Sequence, residues 1–138
     1  MDTGKPLLSK QALTGGAVII LGDKRQRCID SLNLSASLRR LTRGEFVHDD
    51  LEYRCYPLTY SLECEQFAPT GMTFIPLWEG ESSITGFHVD NNRAHFITFS
   101  IEDIDEYSLI GTSMDELIDY LVQEYGEDEA ALRQILSE

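Results

Sequence analysis

The sequence is short of the features that would announce a secreted, membrane-spanning or metal-stapled protein. It holds three cysteines, Cys28, Cys55 and Cys64, none of them in a C-x-x-C pair. An odd count at wide spacing argues against a disulfide framework and fits reduced thiols in a reducing compartment. His48, His88 and His95 do not fall at finger-like spacing, so buried or half-buried free thiols are expected rather than zinc ligands. No apolar run approaches the roughly 20 residues that cross a bilayer. The longest near the start, Ala17 to Leu21, is too short for a signal-peptide core and has no small-residue cleavage pattern behind it. A cytoplasmic location is therefore expected. Positive charge is also scarce: 11 Lys and Arg face 24 Asp and Glu, a net of −13. Binding duplex phosphate needs a basic face, so nucleic acid is disfavoured as a partner, and an anionic membrane surface for the same reason.

The acidity is not spread evenly. Residues 1–69 carry nine basic and nine acidic side chains, whereas residues 70–138 carry two basic ones, Arg93 and Arg133, against fifteen acidic. The whole excess belongs to the second half. Self-repulsion of that size costs stability. It serves solubility, or it recruits a basic partner by long-range attraction and a complementary surface.

The 138 residues are 42% hydrophobic and 25% charged, which suits one globular domain spanning residues 1–138. Residues 1–13 read as a frayed arm or short helix. Gly15-Gly16 precedes a β-branched strand at 17–21, which Gly22-Asp23 ends. Residues 29–43 place Ile29, Leu32, Leu34, Leu38 and Leu41 at imperfect helical spacing, with Arg39, Arg40 and Arg43 late and Gly44 as the stop. Residues 46–68 suggest one or two strands turning near Pro57. Met72 to Trp78 reads as a strand that Pro76 assigns to an edge or an end. Residues 84–90 and 93–100 form a hairpin about Asn91-Asn92, since Asn tolerates the left-handed backbone of a tight turn. That turn opposes Asp90 to Arg93, Val89 to Ala94, His88 to His95 and Phe87 to Phe96. A shorter strand at 102–110 follows an acidic loop. Ser113-Met114-Asp115-Glu116 is a capping box, and Met114, Leu117, Ile118, Leu121, Val122 and Tyr125 follow in 3.6-residue register up to Gly126. A last helix runs from Asp128 to Leu136. The order predicts an α+β fold: a mostly antiparallel sheet with helices packed on one side.

Little of this is catalytic. There is no G-x-S-x-G elbow, no glycine loop between a strand and a helix, and no calcium-loop alternation in Glu102 to Glu106. The reading is a protein that is not an enzyme and uses no cofactor. The opposed His88 and His95 support an alternative, a small enzyme or metal-binding protein, but no third ligand is evident. For partner binding the candidates are Glu79, Glu81, Glu102, Asp103, Asp105 and Glu106, with Trp78 and Tyr107 as aromatic anchors among them.

Residues 71–122 resemble the SUKH superfamily, which includes yeast cell-wall regulators and many bacterial immunity proteins. The likeness rests on Phe74-Ile75-Pro76-Leu77-Trp78, Gly80, the hairpin 86–100, the acidic stretch before Tyr107-Ser108-Leu109-Ile110, and the closing helix from Ser113 to Tyr125. The opening helix, Leu-Pro-aromatic and Asn-Gly set common in that family is not found in residues 1–69. The resemblance implies an α+β sheet with helices on one side. It also implies a cytosolic immunity protein that binds and neutralises a cognate toxin, many such toxins being nucleases with basic active sites. A regulatory or adaptor domain without a toxin is the alternative.

Overall fold

Asn91 and Asn92 both adopt left-handed backbone, with φ of 54° and 61°. This double αL turn matches the right-handed twist of its flanking strands, and it sets the register of the centre of the molecule. In this computed structural model, which describes residues 17–52, 68–80 and 82–138, strands β3 (Ser83–Asp90) and β4 (Arg93–Ser100) pair over eight residues each. Asp90 lies opposite Arg93, Val89 opposite Ala94, His88 opposite His95 and Phe87 opposite Phe96, the register expected from the turn. β2 (Thr73–Glu79) flanks β3, and β5 (Asp103–Gly111) flanks β4, both antiparallel. The two-residue β1 (Val18–Ile19) adds to β2 in parallel, so the sheet order is β1-β2-β3-β4-β5. The fold is α+β, as expected.

Pro76 is not at an edge or an end but inside β2, the second strand of the sheet. β1 explains how it is tolerated. The carbonyls of Met72 and Phe74 accept from Val18 and Ile20, so every second residue of β2 faces β1. By that alternation Pro76, which has no N–H, faces the side where β1 has already ended. Arg25 fills the gap there: its Nε donates to the Pro76 carbonyl at 2.7 Å, and its Nη2 to the carbonyls of Leu77 and Thr42 at 3.1 and 2.9 Å. A bulge between Pro76 and Trp78 then sets two β2 residues against one of β3, which lets Leu77 and Trp78 enter the same core.

The stretch read as one helix over 29–43 is two. α1 (Gly22–Asp30) starts at the Gly22 expected only to end a strand, and α2 (Ala36–Leu41) follows a break in which Asn33 is left-handed (φ 57°). Ser35 caps α2 by accepting from Leu38 N–H, and it donates to the Leu136 carbonyl at 2.6 Å. Gly44, with φ 85°, stops the basic end as predicted. Asp49–Leu51 forms a single 3₁₀ turn. α3 (Met114–Tyr125) and α4 (Glu129–Ser137) lie where the pattern places them. Gly126 follows α3 in extended backbone, φ −75°, not left-handed. It is a glycine because a Cβ there would meet the Val122 carbonyl at 2.7 Å.

The four helices among the described residues bury their apolar faces in one cluster. Ile29, Leu38, Leu41, Leu117, Leu121 and Leu132 pack on Ile75, Leu77, Phe87 and Phe96 of the sheet. A smaller cluster lies on the other sheet face, where Phe74, Ile84, Ile97 and Phe99 meet Ala17, Ile19 and Ala68. The strands expected near Pro57, together with Cys55, Cys64 and the N-terminal arm, lie outside the described residues. Cys28 is a partly buried free thiol against the helix-side core.

Candidate functional site

The eight residues expected to meet a partner do not form one surface. Trp78 is core, 2% exposed, and Glu79 is buried at 6%. A side chain enclosed to that degree cannot anchor a partner, so neither belongs to a docking face. Their positions follow from the β2 bulge, which a pattern of aromatics next to acids does not reveal. Glu81 lies outside the described residues.

The other five stay together and outside. Glu102, Asp103, Asp105 and Glu106 are exposed, and Tyr107 is 46% exposed. Asp103 to Tyr107 lie in the edge strand β5, however, not in a loop. The strand is irregular. Thr98 pairs with Ser108 and Ser100 with Asp103, so four residues of β5 stand against one of β4, and a second irregularity follows at Ile110. An acidic sequence can hold an extended strand here because the edge lets its charges reach water.

Asp105 is the best-positioned of these carboxylates. Its Oδ1 accepts from the Thr70 backbone N–H at 2.7 Å and its Oδ2 from the Thr70 hydroxyl at 3.0 Å. The backbone bond first, and then the hydroxyl, holds the Asp105 pKa below the ordinary carboxylate value. β3 and β4 lie between β2 and β5, so the loop carrying Thr70 crosses the sheet face away from the helices to reach β5. The crossing leaves a shallow groove of about 620 Å³, lined among others by Thr70, Thr73, His88, Asp90, Asp105 and Tyr107. Of these lining residues, only Asp105 and Tyr107 were candidates for partner binding from sequence. Pro69-Thr70-Gly71 is a turn signal that could have pointed to the rest: Gly71 has φ 77° and Met72 N–H bonds the Pro69 carbonyl.

His88 and His95 stack across β3 and β4 with ring centroids 5.3 Å apart and planes 27° from parallel. Burial first, then the neighbouring His95, lowers the His88 pKa, with Asp90 opposing. Among the described residues no group of three or more His, Cys, Asp or Glu side chains is arranged to hold a metal.

The remaining acids divide by task. Glu116 accepts from Thr112 N–H at 2.9 Å and from the Ser113 hydroxyl, Asp128 caps α4 through Ala131 N–H, and Asp119 pairs with Arg133. The capping box is thus real, and Glu116 reaches both the N-cap Ser113 and Thr112, the residue before it. Among the described residues the side chains of Glu102, Asp103 and Glu106 have no such structural partner. On the opposing charge, exposed Lys24, Arg27, Arg39, Arg40 and Arg43 gather on α1 and the end of α2, where Glu45 binds Arg40 and Arg43.

No protein-family model, no curated protein and no solved structure matches this chain. Among the described residues no helix is long and apolar enough to cross a membrane.

Proposed function

We propose that this protein is a cytoplasmic, non-enzymatic immunity-type protein whose acidic second half binds and neutralises a cognate basic toxin. The observation that carries this reading is the acid-rich start of β5. Glu102, Asp103 and Glu106 are exposed and their side chains have no partner among the described residues, in a half-chain with fifteen acids and two basic side chains. Such a field raises encounter rates with a positively charged protein and weakens in salt. The SUKH-like texture of residues 71–122 supports the same reading independently. A basic nuclease is the toxin class this surface suits best.

The test is association with the product of the neighbouring gene, the position a cognate toxin would occupy. In the triple variant Glu102→Gln, Asp103→Asn, Glu106→Gln the on-rate falls about tenfold at low salt, and the difference shrinks toward physiological ionic strength. Asp105 is left intact because it holds Thr70. An unchanged low-salt on-rate removes this surface from the interface. A neighbour that is not toxic, or whose toxicity the protein does not relieve, favours the regulatory adaptor.

A further inference from the structure

We propose that the outer edge of β5, with the groove beside it, docks an extended lysine- or arginine-bearing segment of a protein partner by strand addition. This rests on the acidic-binder reading and names how the contact is made. β5 is last in the sheet order, and among the described residues no strand pairs with its outer side. An unpaired edge offers a row of backbone donors and acceptors to an incoming strand. Tyr107 and Leu109, 46% and 62% exposed, lie two residues apart and so share one sheet face. They are two of only four exposed large hydrophobics among the described residues. Asp105 lines the same groove as Tyr107, held in place by Thr70.

Charge decides the occupant. A second copy pairing through β5 would bring two edges of Asp103, Asp105 and Glu106 together, and in the registers that set them directly opposite the like charges destabilise the ladder. Among the described residues no exposed cation can serve either: Lys24, Arg27, Arg39, Arg40 and Arg133 sit on helices, Arg43 in the turn after α2, and Arg93 in β4, already paired with β3. Carboxylates and bulges on an edge strand guard against aggregation, and the guard is selective: it repels another acidic strand and attracts a basic one. A cationic side chain on the added strand would meet the Asp105 carboxylate and the Tyr107 ring on the β5 side of the groove, combining charge-assisted hydrogen bonds with a cation–π contact.

The probe is a blocked alternating peptide, Lys-Thr-Lys-Val-Lys-Thr-Lys, with its Glu-for-Lys counterpart as control, added to the isotope-labelled full chain. The lysine peptide slows amide exchange of the outward β5 N–H groups about fivefold or more at saturation, and the glutamate peptide does not. The double variant Asp103→Lys, Glu106→Lys weakens the lysine peptide about tenfold at low salt. Unchanged β5 exchange overturns the proposal, and so do resonance shifts as large on α3 and α4 as on β5, which mark diffuse charge attraction. The wild-type exchange comparison decides the matter even if the double variant misfolds. No toxin enters this measurement. Toxin binding that depends on Glu102, Asp103 and Glu106 without β5 protection by the peptide therefore rejects strand addition and leaves the acidic-binder reading standing.

Discussion

Gly86 shows how tightly single positions are set. It lies in β3 opposite Pro76, and a Cβ there would collide with both the Ile75 carbonyl and the ring of Phe74. The carbonyl is backbone and cannot move aside, so Gly86→Ala should destabilise the protein by about 1–3 kcal/mol, the usual range for overpacking. Urea denaturation measures this directly, and an unchanged midpoint would show that Phe74 and β2 shift freely. Sequence reading set Gly86 in the first strand of the hairpin and gave it no role of its own. Its actual role depends on Phe74, twelve residues earlier, folding over it. Trp78 and Glu79 were misjudged for a related reason. An aromatic beside an acid has the same local pattern in a loop as at a bulge, and only the β2–β3 register sends Trp78 inward.

At the scale of elements, two carboxylates join pieces that are separate in sequence or in the backbone ladder. Asp105 fastens the loop before β2 to β5, and Glu116 closes the start of α3 onto Thr112 and Ser113. In both, hydrogen bonds to the ionised form hold the pKa below its ordinary value, 3.8 for Asp105 and 4.5 for Glu116, with backbone N–H the first cause in each. A carboxyl that ionises more readily folded than unfolded adds stability that is complete above its unfolded pKa. That stability is lost as the pH falls through the lower folded value. Thermal midpoints should therefore decline as the pH drops below about 4.5. The decline should be shallower in Glu116→Gln and in Asp105→Asn than in the unaltered protein. Equal slopes would mean that other carboxyls govern acid unfolding. Elements were the level most open to sequence reading. The Asn-Asn turn, the capping box and the 3.6-residue stripe of α3 are each local, and each was found where expected. The single helix read over 29–43 was not, because Asn33 and the Ser35 cap leave Leu32 and Leu34 in a break between Ile29 of α1 and Leu38 and Leu41 of α2, all of which still share one core.

For the whole molecule the governing quantity is the net charge of −13. Few ion pairs offset it among the described residues: Arg40 and Arg43 with Glu45, and Arg133 with Asp119. Raising sodium chloride from about 0.01 to 0.15 M shortens the screening length from about 30 to 8 Å. Repulsion among the acids of β5, α3 and α4 should weaken more than these short pairs do. The melting temperature should rise by a few degrees, about 1 kcal/mol in stability. A fall with salt would show that the ion pairs dominate. The same screening slows the proposed association, so stability and on-rate should move in opposite directions along one salt series.

What this sequence determined alone was whatever a few neighbouring residues decide. That includes the hairpin and its register, the caps, the α3 stripe, the α+β order and the concentration of negative charge after residue 69. Tertiary structure decided which of those charges are available. Thr70 reaches Asp105 across two intervening strands, Arg25 replaces the missing end of β1 along β2, and the bulge at Pro76–Trp78 takes Trp78 from the surface into the core. Each of these joins groups far apart along the chain or depends on pairing with another strand. No local spacing encodes that, because burial and hydrogen bonding are settled only when the sheet and its covering layers close together.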